Sequence, residues 1–394
     1  MDCTINLEST NQYESFILPE APHLLSAEEA SQRLGVRPAS LYAYVSRGLV
    51  RALPHPDDPR ARLYERADID ALIERKRRQA RPSAAAATAL DWGLPVLATS
   101  ISSIADGHLT YRGRDAVELS ETATLEEAAA LLWQMPAPDF EARPSPPSLA
   151  GSPIDRAVAA LAADLPATLF GERSGRLARR ANHGVGRIAA AVAGGPLGMG
   201  PLHVALAEAW SAPDAADAIR RALVLVADHE LNASTFAVRV AASTGASLTH
   251  AIIAGLVTLA GPIHGGATQR VAAFLDEVGR IGDPNEAVRA RLARGEPVPG
   301  FGHRLYPNGD PRARSLLATI PLAPEQEALL ASVEAATGEL PSIDVALVIL
   351  ERNYTLPRDA ALALFAIGRS VGWIAHAMEQ AESGQLIRPR AAAA

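Results

Sequence analysis

Residues 248–271 read LTHAIIAGLVTLAGPIHGGATQRV. Positions 248–261 are apolar nearly all round and leave no polar face for water, which predicts a helix buried in the centre of a helical bundle. Pro262 stops that helix. Beyond it Val271, Phe274, Leu275 and Val278 recur at i, i+3, i+4 and i+7, the spacing of an amphipathic helix. His264 stands at the joint. Backbone N–H groups and the dipole at a helix start disfavour an imidazolium, so His264 is expected to stay neutral and able to donate a hydrogen bond.

The same reading extends outward. LALFAIGRSVGWIAH (362–376) is a second apolar run, and Ile219, Ala222, Leu223 and Val226 repeat the helical spacing. No sustained period-2 alternation or βαβ rhythm appears, so this part of the chain is expected to be mainly α. Polar clusters sit where apolar helices begin or end: ADHELNASTF (227–236), GPIHGGATQRV (261–271) and PGFGHRLYPNGDPRAR (299–314). Asp344 and Arg369 are isolated ionisable groups in apolar runs. Each needs a counter-ion, and for Arg369 a substrate carboxylate is one candidate. Taken singly, such residues are more often core histidines and internal ion pairs. The histidine spacings, 35 from His229 to His264 and 39 from His264 to His303, match no local metal motif, so no metal is expected.

The chain has 394 residues with 37 basic and 44 acidic side chains, a net charge of −7 and one cysteine. That length excludes a mini-protein and the apolar content excludes a disordered chain. Cys3 alone forms neither an intramolecular disulfide nor a cysteine zinc site, which points to a reducing, cytoplasmic setting. MDCTINLESTNQYESF lacks a basic region followed by an apolar one, and no apolar run reaches 18 residues, so neither a signal peptide nor a membrane span is expected. Charge is uneven. Leu24–Pro82 carries 12 basic and 8 acidic residues, net +4, leaving −11 for the rest. The expected division is an extension (1–23), a basic module (24–78), an alanine-rich linker (79–89) and an acidic module (90–394). The proline-rich stretch near 136–153 reads as a surface loop.

In the basic module, LLSAEEASQRLGV pairs Ser26 with Glu29 as a capping box and ends at Gly35. PASLYAYVSRG supplies a second short helix, VRALPHPDDPRARLY a wing and ADIDALIERKRRQ a basic-ended helix. The order resembles the helix-turn-helix domain of the MerR and excisionase families. By position the DNA contacts would be Arg37, Ser40, Tyr42 and Arg47 from the second helix and Arg60 and Arg62 from the wing. Tyr44 and Val45 read as core. The plainer alternative is a small structural or protein-contact module.

HELNASTF, GPIHGGA, GFGHRLYPNGDPRA and PSIDVAL follow the order and spacing of the citrate synthase family, and residues 99–133 resemble its N-terminal region. The resemblance implies an α-helical homodimer, each subunit with large and small domains that close over oxaloacetate and acetyl-CoA. Asp344 would be the general base, His264 the hydrogen-bond donor to the thioester oxygen, and His303 the group that polarises the oxaloacetate carbonyl. His229, Arg312 and Arg369 would hold substrate carboxylates, with Arg388 supplied across the dimer interface. Arg304 and Arg314 would meet the CoA phosphates, and no cofactor beyond the acyl-CoA substrate is implied. The chemistry fits on its own terms: a weak carbon acid needs a base and an electrophile together, and a dicarboxylate needs arginines. Asp344 is followed by Val345 where the family has an aromatic residue. A 2-methylcitrate synthase using propionyl-CoA shares every motif. A metabolite-sensing DNA-binding regulator is the alternative of a different class, although a sensor has no need of Asp344.

Overall fold

The computed structural model describes residues 24–36, 41, 44–45, 49–55, 58, 61–80, 97–140, 150–163, 165 and 174–389. They fall into two compact units, one within residues 1–96 and one within 97–390.

The first unit opens with β1 (Leu24–Ser26) and α1 (Ala27–Leu34). The capping box forms: Glu29 N donates to Ser26 Oγ at 3.3 Å and Ser26 N to Glu29 Oε2 at 2.8 Å. Gly35 closes the helix with φ 64°, a conformation that favours glycine. β2 (Ala52–Pro54) and β3 (Arg62–Glu65) pair antiparallel with Leu53 opposite Leu63, which is the expected wing, and β1 flanks β3 on its other edge. α2 (Arg66–Ala80) follows and takes in the first two residues expected as linker. The remainder of that linker lies outside the described residues. Leu25, Ala30, Leu34, Leu41, Tyr64 and Ile69 form the core, and Tyr44 and Val45 pack against it. Of the expected second helix, Leu41, Tyr44 and Val45 are described and helical. Arg37, Ser40, Tyr42, Arg47 and Arg60 lie outside the described residues, whereas Arg62 stands exposed on β3.

The second unit is mainly helical, with one element that the sequence pattern did not announce. β4 (Ser102–Ala105), β5 (His108–Tyr111) and β6 (Arg114–Asp115) make an antiparallel meander. Strands this short offer too few alternations to read, but Asp106-Gly107, both at positive φ, is a two-residue hairpin turn. The helices are α3 (Ala116–Thr122), α4 (Leu125–Trp133), α5 (Pro153–Ala162), α6 (Ser174–Ala193), α7 (Leu202–Ala209), α8 (Ala216–Leu225), α9 (Ala233–Ser243), α10 (Leu248–Leu259), α11 (Gly266–Ile281), α12 (Pro284–Ala293), α13 (Pro311–Leu317), α14 (Pro324–Thr337), α15 (Ile343–Asn353) and α16 (Ala360–Ser383). α16 is long and apolar enough to cross a membrane by composition, but 94% of its apolar window is buried inside the unit, where α8, α9, α10 and α15 pack on it. α10 departs from the fully buried expectation, because Val257 is 53% exposed. The expected loop near 136–153 has no regular structure at 136–140 and ends at α5; residues 141–149 lie outside the described residues.

Candidate active site

The 227–236 and 299–314 clusters meet through a hydrogen bond. His229, carried just beyond α8, shares 2.9 Å with the Tyr306 hydroxyl through Nε2. His303 lies edge-on to His229, ring centroids 5.4 Å apart, and 4.9 Å from the Tyr306 ring. Leu305 N donates to His303 Nδ1 at 3.2 Å. In a neutral ring that places the proton on Nε2. Burial pushes His303 down to about 4, with the Arg312 charge adding to it.

Arg312 is seated by Asp310. Asp310 caps α13 by accepting Arg312 N at 3.0 Å, and its two oxygens receive Arg312 Nε at 2.9 Å and Nη2 at 2.8 Å. Both side chains are buried, and the guanidinium lies 5.3 Å over the Tyr306 ring. Asp310 Oδ2 also accepts Ile343 N at 3.0 Å, which ties the loop to the start of α15. Asp344 is the next residue, in the first turn of α15 and half-buried, with Ser342 Oγ 3.4 Å from its Oδ2. Burial raises its carboxyl above the usual range, against the pull of Arg312.

His264 sits in the turn between α10 and α11. Gly265 follows because its N–H reaches Leu259 O at 3.0 Å, and a Cβ there would run into that carbonyl. His264 Nε2 lies 2.9 Å from Ser234 Oγ in the first turn of α9, and Trp373 Nε1 donates to the same oxygen at 3.2 Å. His264 is held down to about 4, but burial is the larger cause and Arg369 the second. His264 is therefore neutral, as the sequence led one to expect, with burial a cause that the sequence did not show.

Arg369 is buried in the middle of α16. Its Nε donates to Val226 O at 2.9 Å and its guanidinium lies 4.7 Å over the Phe365 ring. Among the described residues no carboxylate lies within ion-pair distance of it, and burial pushes it down to about 10 although Asp228 opposes this. Burial, Arg312, Arg369, His303 and His264, in that order, hold His229 well below its ordinary value, so all four charged or titratable groups converge on it. The site is thus a set of neutral imidazoles and two buried guanidiniums, with half-buried Asp344 within electrostatic reach of Arg312, suited to a multiply anionic substrate.

The remaining expected residues stand outside this cluster. Arg304 and Arg314 are exposed, and Arg314 Nη2 donates to Asn308 O at 3.2 Å. Arg388 is exposed beyond α16. Sequence reasoning passed over Tyr306, Asp310 and Ser234, although all three lie inside the motifs. Asp310 carried the clearest signal, an acid two residues before an arginine at a proline-led helix start.

The chain matches the family described as citrate synthase, C-terminal domain, over residues 89–168 and 188–390, and the helix-turn-helix domain family over 24–77. Citrate synthase 2 of Bacillus subtilis is 31% identical over 347 residues, covering 76% of this chain and 93% of that protein. This chain belongs to the citrate synthase family. It is by membership an acyltransferase-type enzyme carrying an N-terminal helix-turn-helix domain. The citrate synthase of Thermoplasma acidophilum, solved as a ternary complex with carboxymethyl coenzyme A and oxaloacetate, superposes with a TM-score of 0.65 at 25% identity, covering 76% of this chain and 93% of that one. A 2-methylcitrate synthase of Mycobacterium tuberculosis is 35% identical over 187 residues, which span 44% of this chain and 47% of that protein.

Proposed function

We propose that the protein condenses oxaloacetate with the acetyl group of acetyl-CoA and hydrolyses the product to citrate and CoA. The observation that carries this is Asp344 at the start of α15, joined through Ile343 to the buried Asp310–Arg312 pair, with His264 and His303 held neutral. The Asp344 carboxylate takes a methyl proton from the acetyl thioester. His264 donates a hydrogen bond to the thioester oxygen as the enol forms. His303 Nε2–H polarises the oxaloacetate ketone, and the enol carbon attacks it to form the new C–C bond. Water then cleaves the thioester, releasing CoA. Arg312, Arg369 and His229 hold the oxaloacetate carboxylates. In a homodimer Arg388 would serve the neighbouring subunit's site, and Arg304 and Arg314 would meet the CoA phosphates.

CoA release measured with a thiol reagent tests the proposal. Wild type should release CoA only when oxaloacetate is present, and Asp344→Ala should lower kcat about 10²–10⁴-fold, the range for loss of a positioned base. Equal background release from both proteins would overturn it. Propionyl-CoA is the competing acyl donor, favoured by the 2-methylcitrate synthase relative, and the ratio of kcat/KM for the two thioesters decides between them.

For the first unit we propose double-stranded DNA binding, supported by the wing of β2 and β3 and by exposed Arg62. Binding should weaken linearly in log affinity against log salt, and Arg62→Ala should flatten that slope by about one. A salt-independent complex, or none at low salt on any upstream DNA, counts against it.

A further inference from the structure

Behind the site, one stripe of α16 meets three consecutive residues of the segment that leaves α8. Arg369 Nε donates to Val226 O at 2.9 Å, Gly372 N donates to Ala227 O at 3.0 Å, and His376 Nε2 lies 3.1 Å from Asp228 Oδ2. Residues 369, 372 and 376 are spaced i, i+3 and i+7, one face of the helix. That face is cut away to let the segment in. A Cβ at Gly368 would stand 2.6 Å from Val226 Cγ2 and 2.7 Å from Leu223 O, and one at Gly372 would overlap Ala227 O and Asp228 Oδ1. The residue that follows Asp228 is His229.

The Asp228–His376 pair has no exposed surface on either side chain. Asp228 Oδ2 also accepts the Ser102 hydroxyl of β4, and Ser102 Oγ in turn accepts Glu230 N at 3.0 Å. His229 is therefore gripped on both sides, at Asp228 and at Glu230. Asp228 Oδ1 and His376 Nδ1 are buried with no hydrogen-bond partner among the described residues. Leaving such atoms unmatched is unfavourable, and a buried ionisable pair is a poor source of stability compared with apolar packing. What the arrangement does provide is a fixed register between the helix that carries Arg369 and the turn that carries His229.

We propose that Asp228 and His376 are positioning residues, which set the spacing of Arg369 and His229 so that both stand ready for the carboxylates of oxaloacetate before it arrives. Neither touches the reacting atoms. The inference rests on the condensation reading, since it deepens the account of how that substrate is held.

Steady-state kinetics with each substrate varied in turn provides the test. His376→Leu, which leaves Asp228 without its imidazole partner, should raise KM for oxaloacetate about tenfold or more while kcat and the acyl-CoA KM stay within about threefold. His376→Gln, whose amide nitrogen can donate to Asp228, should bring the oxaloacetate KM back toward wild type. Ser102→Ala removes a single hydroxyl and should give the same selective rise in smaller measure, so it carries the test if His376→Leu does not fold. An unchanged oxaloacetate KM in the folded variants overturns the inference. So does a parallel loss in kcat, in both KM values and in melting temperature that His376→Gln fails to rescue, because that is a purely structural role. These outcomes are read only against an active wild type: a wild type that releases no CoA overturns the condensation reading itself and this inference with it.

Discussion

The arginines at the candidate site of the second unit and those of the first unit are held in opposite ways. In the second, Arg312 is 2% exposed and Arg369 1%, one clamped by both oxygens of Asp310 and the other resting on a carbonyl and an aromatic face. In the first, Arg33 meets Asp70 and Arg51 meets Asp68 across exposed surface, and Arg62 stands free of burial on the wing. The same residue type is an internal charge at that site and a displayed charge in the first unit. Burial makes the difference. A desolvated guanidinium acts strongly on a small anion at short range, while an exposed one acts through a salt-screened field suited to a polyanion.

The contrast is broken most directly at Asp310. Asp310→Asn leaves Arg312 buried without its carboxylate and should cost about 3–5 kcal/mol of unfolding free energy, the range for removing one member of a buried pair. Urea unfolding with an unchanged slope is the measurement. A change too small to move the midpoint would mean that the burial of Arg312 is not what distinguishes this unit.

Acid provides the next largest effect. His229, His264 and His303 are all held below the ordinary histidine value, chiefly by burial, with His264 and His303 down to about 4. The unfolded chain takes up these protons near pH 6.5, so stability is fully present above that pH and is lost as the pH falls from about 6.5 to about 4. In the first unit the lowered groups are carboxylates: Asp68 held by Arg51, Asp70 by Arg33, and Glu29 by Ser26. Their contribution is present above the carboxylate range and is lost only as the pH falls through it. Hydrogen exchange followed peptide by peptide at pH 7 and pH 5 should show protection falling in the second unit and held in the first. Equal loss in both would remove the distinction.

Much of the site was legible because its residues lie in short motifs whose order survives without any knowledge of the fold. Arg369 was readable for a simpler reason, a lone charge in an apolar helix. What escaped depended on long-range contact. Asp228 and His376 are separated by 148 positions, and no local spacing joins them. Ser234 becomes informative only when α9 brings it to His264, and Tyr306 when it reaches His229. His264 was expected to be neutral from its helix start; enclosure by its neighbours adds a cause the sequence did not show, because enclosure is a tertiary quantity. The meander of β4 to β6 escaped because strands of two to four residues carry almost no periodic signal.

The smallest effect is expected where the first unit looks most like the second. Arg51 reaches Asp68 with two guanidinium contacts, Nε to Oδ2 at 2.9 Å and Nη2 to Oδ1 at 3.1 Å, a geometry close to that of Arg312 on Asp310. Geometry alone would predict a comparable loss on substitution. Yet the Arg51 side chain is 69% exposed, so water replaces each contact as it is removed. Asp68 Oδ2 also accepts the backbone N–H of Arg51 at 2.9 Å, a donor that Arg51→Ala leaves in place. The unfolding midpoint of Arg51→Ala should therefore coincide with wild type within replicate scatter, under the same conditions in which Asp310→Asn is strongly destabilised. A loss as large as that of Asp310→Asn would show that bidentate geometry, and not burial, governs how these arginine pairs contribute.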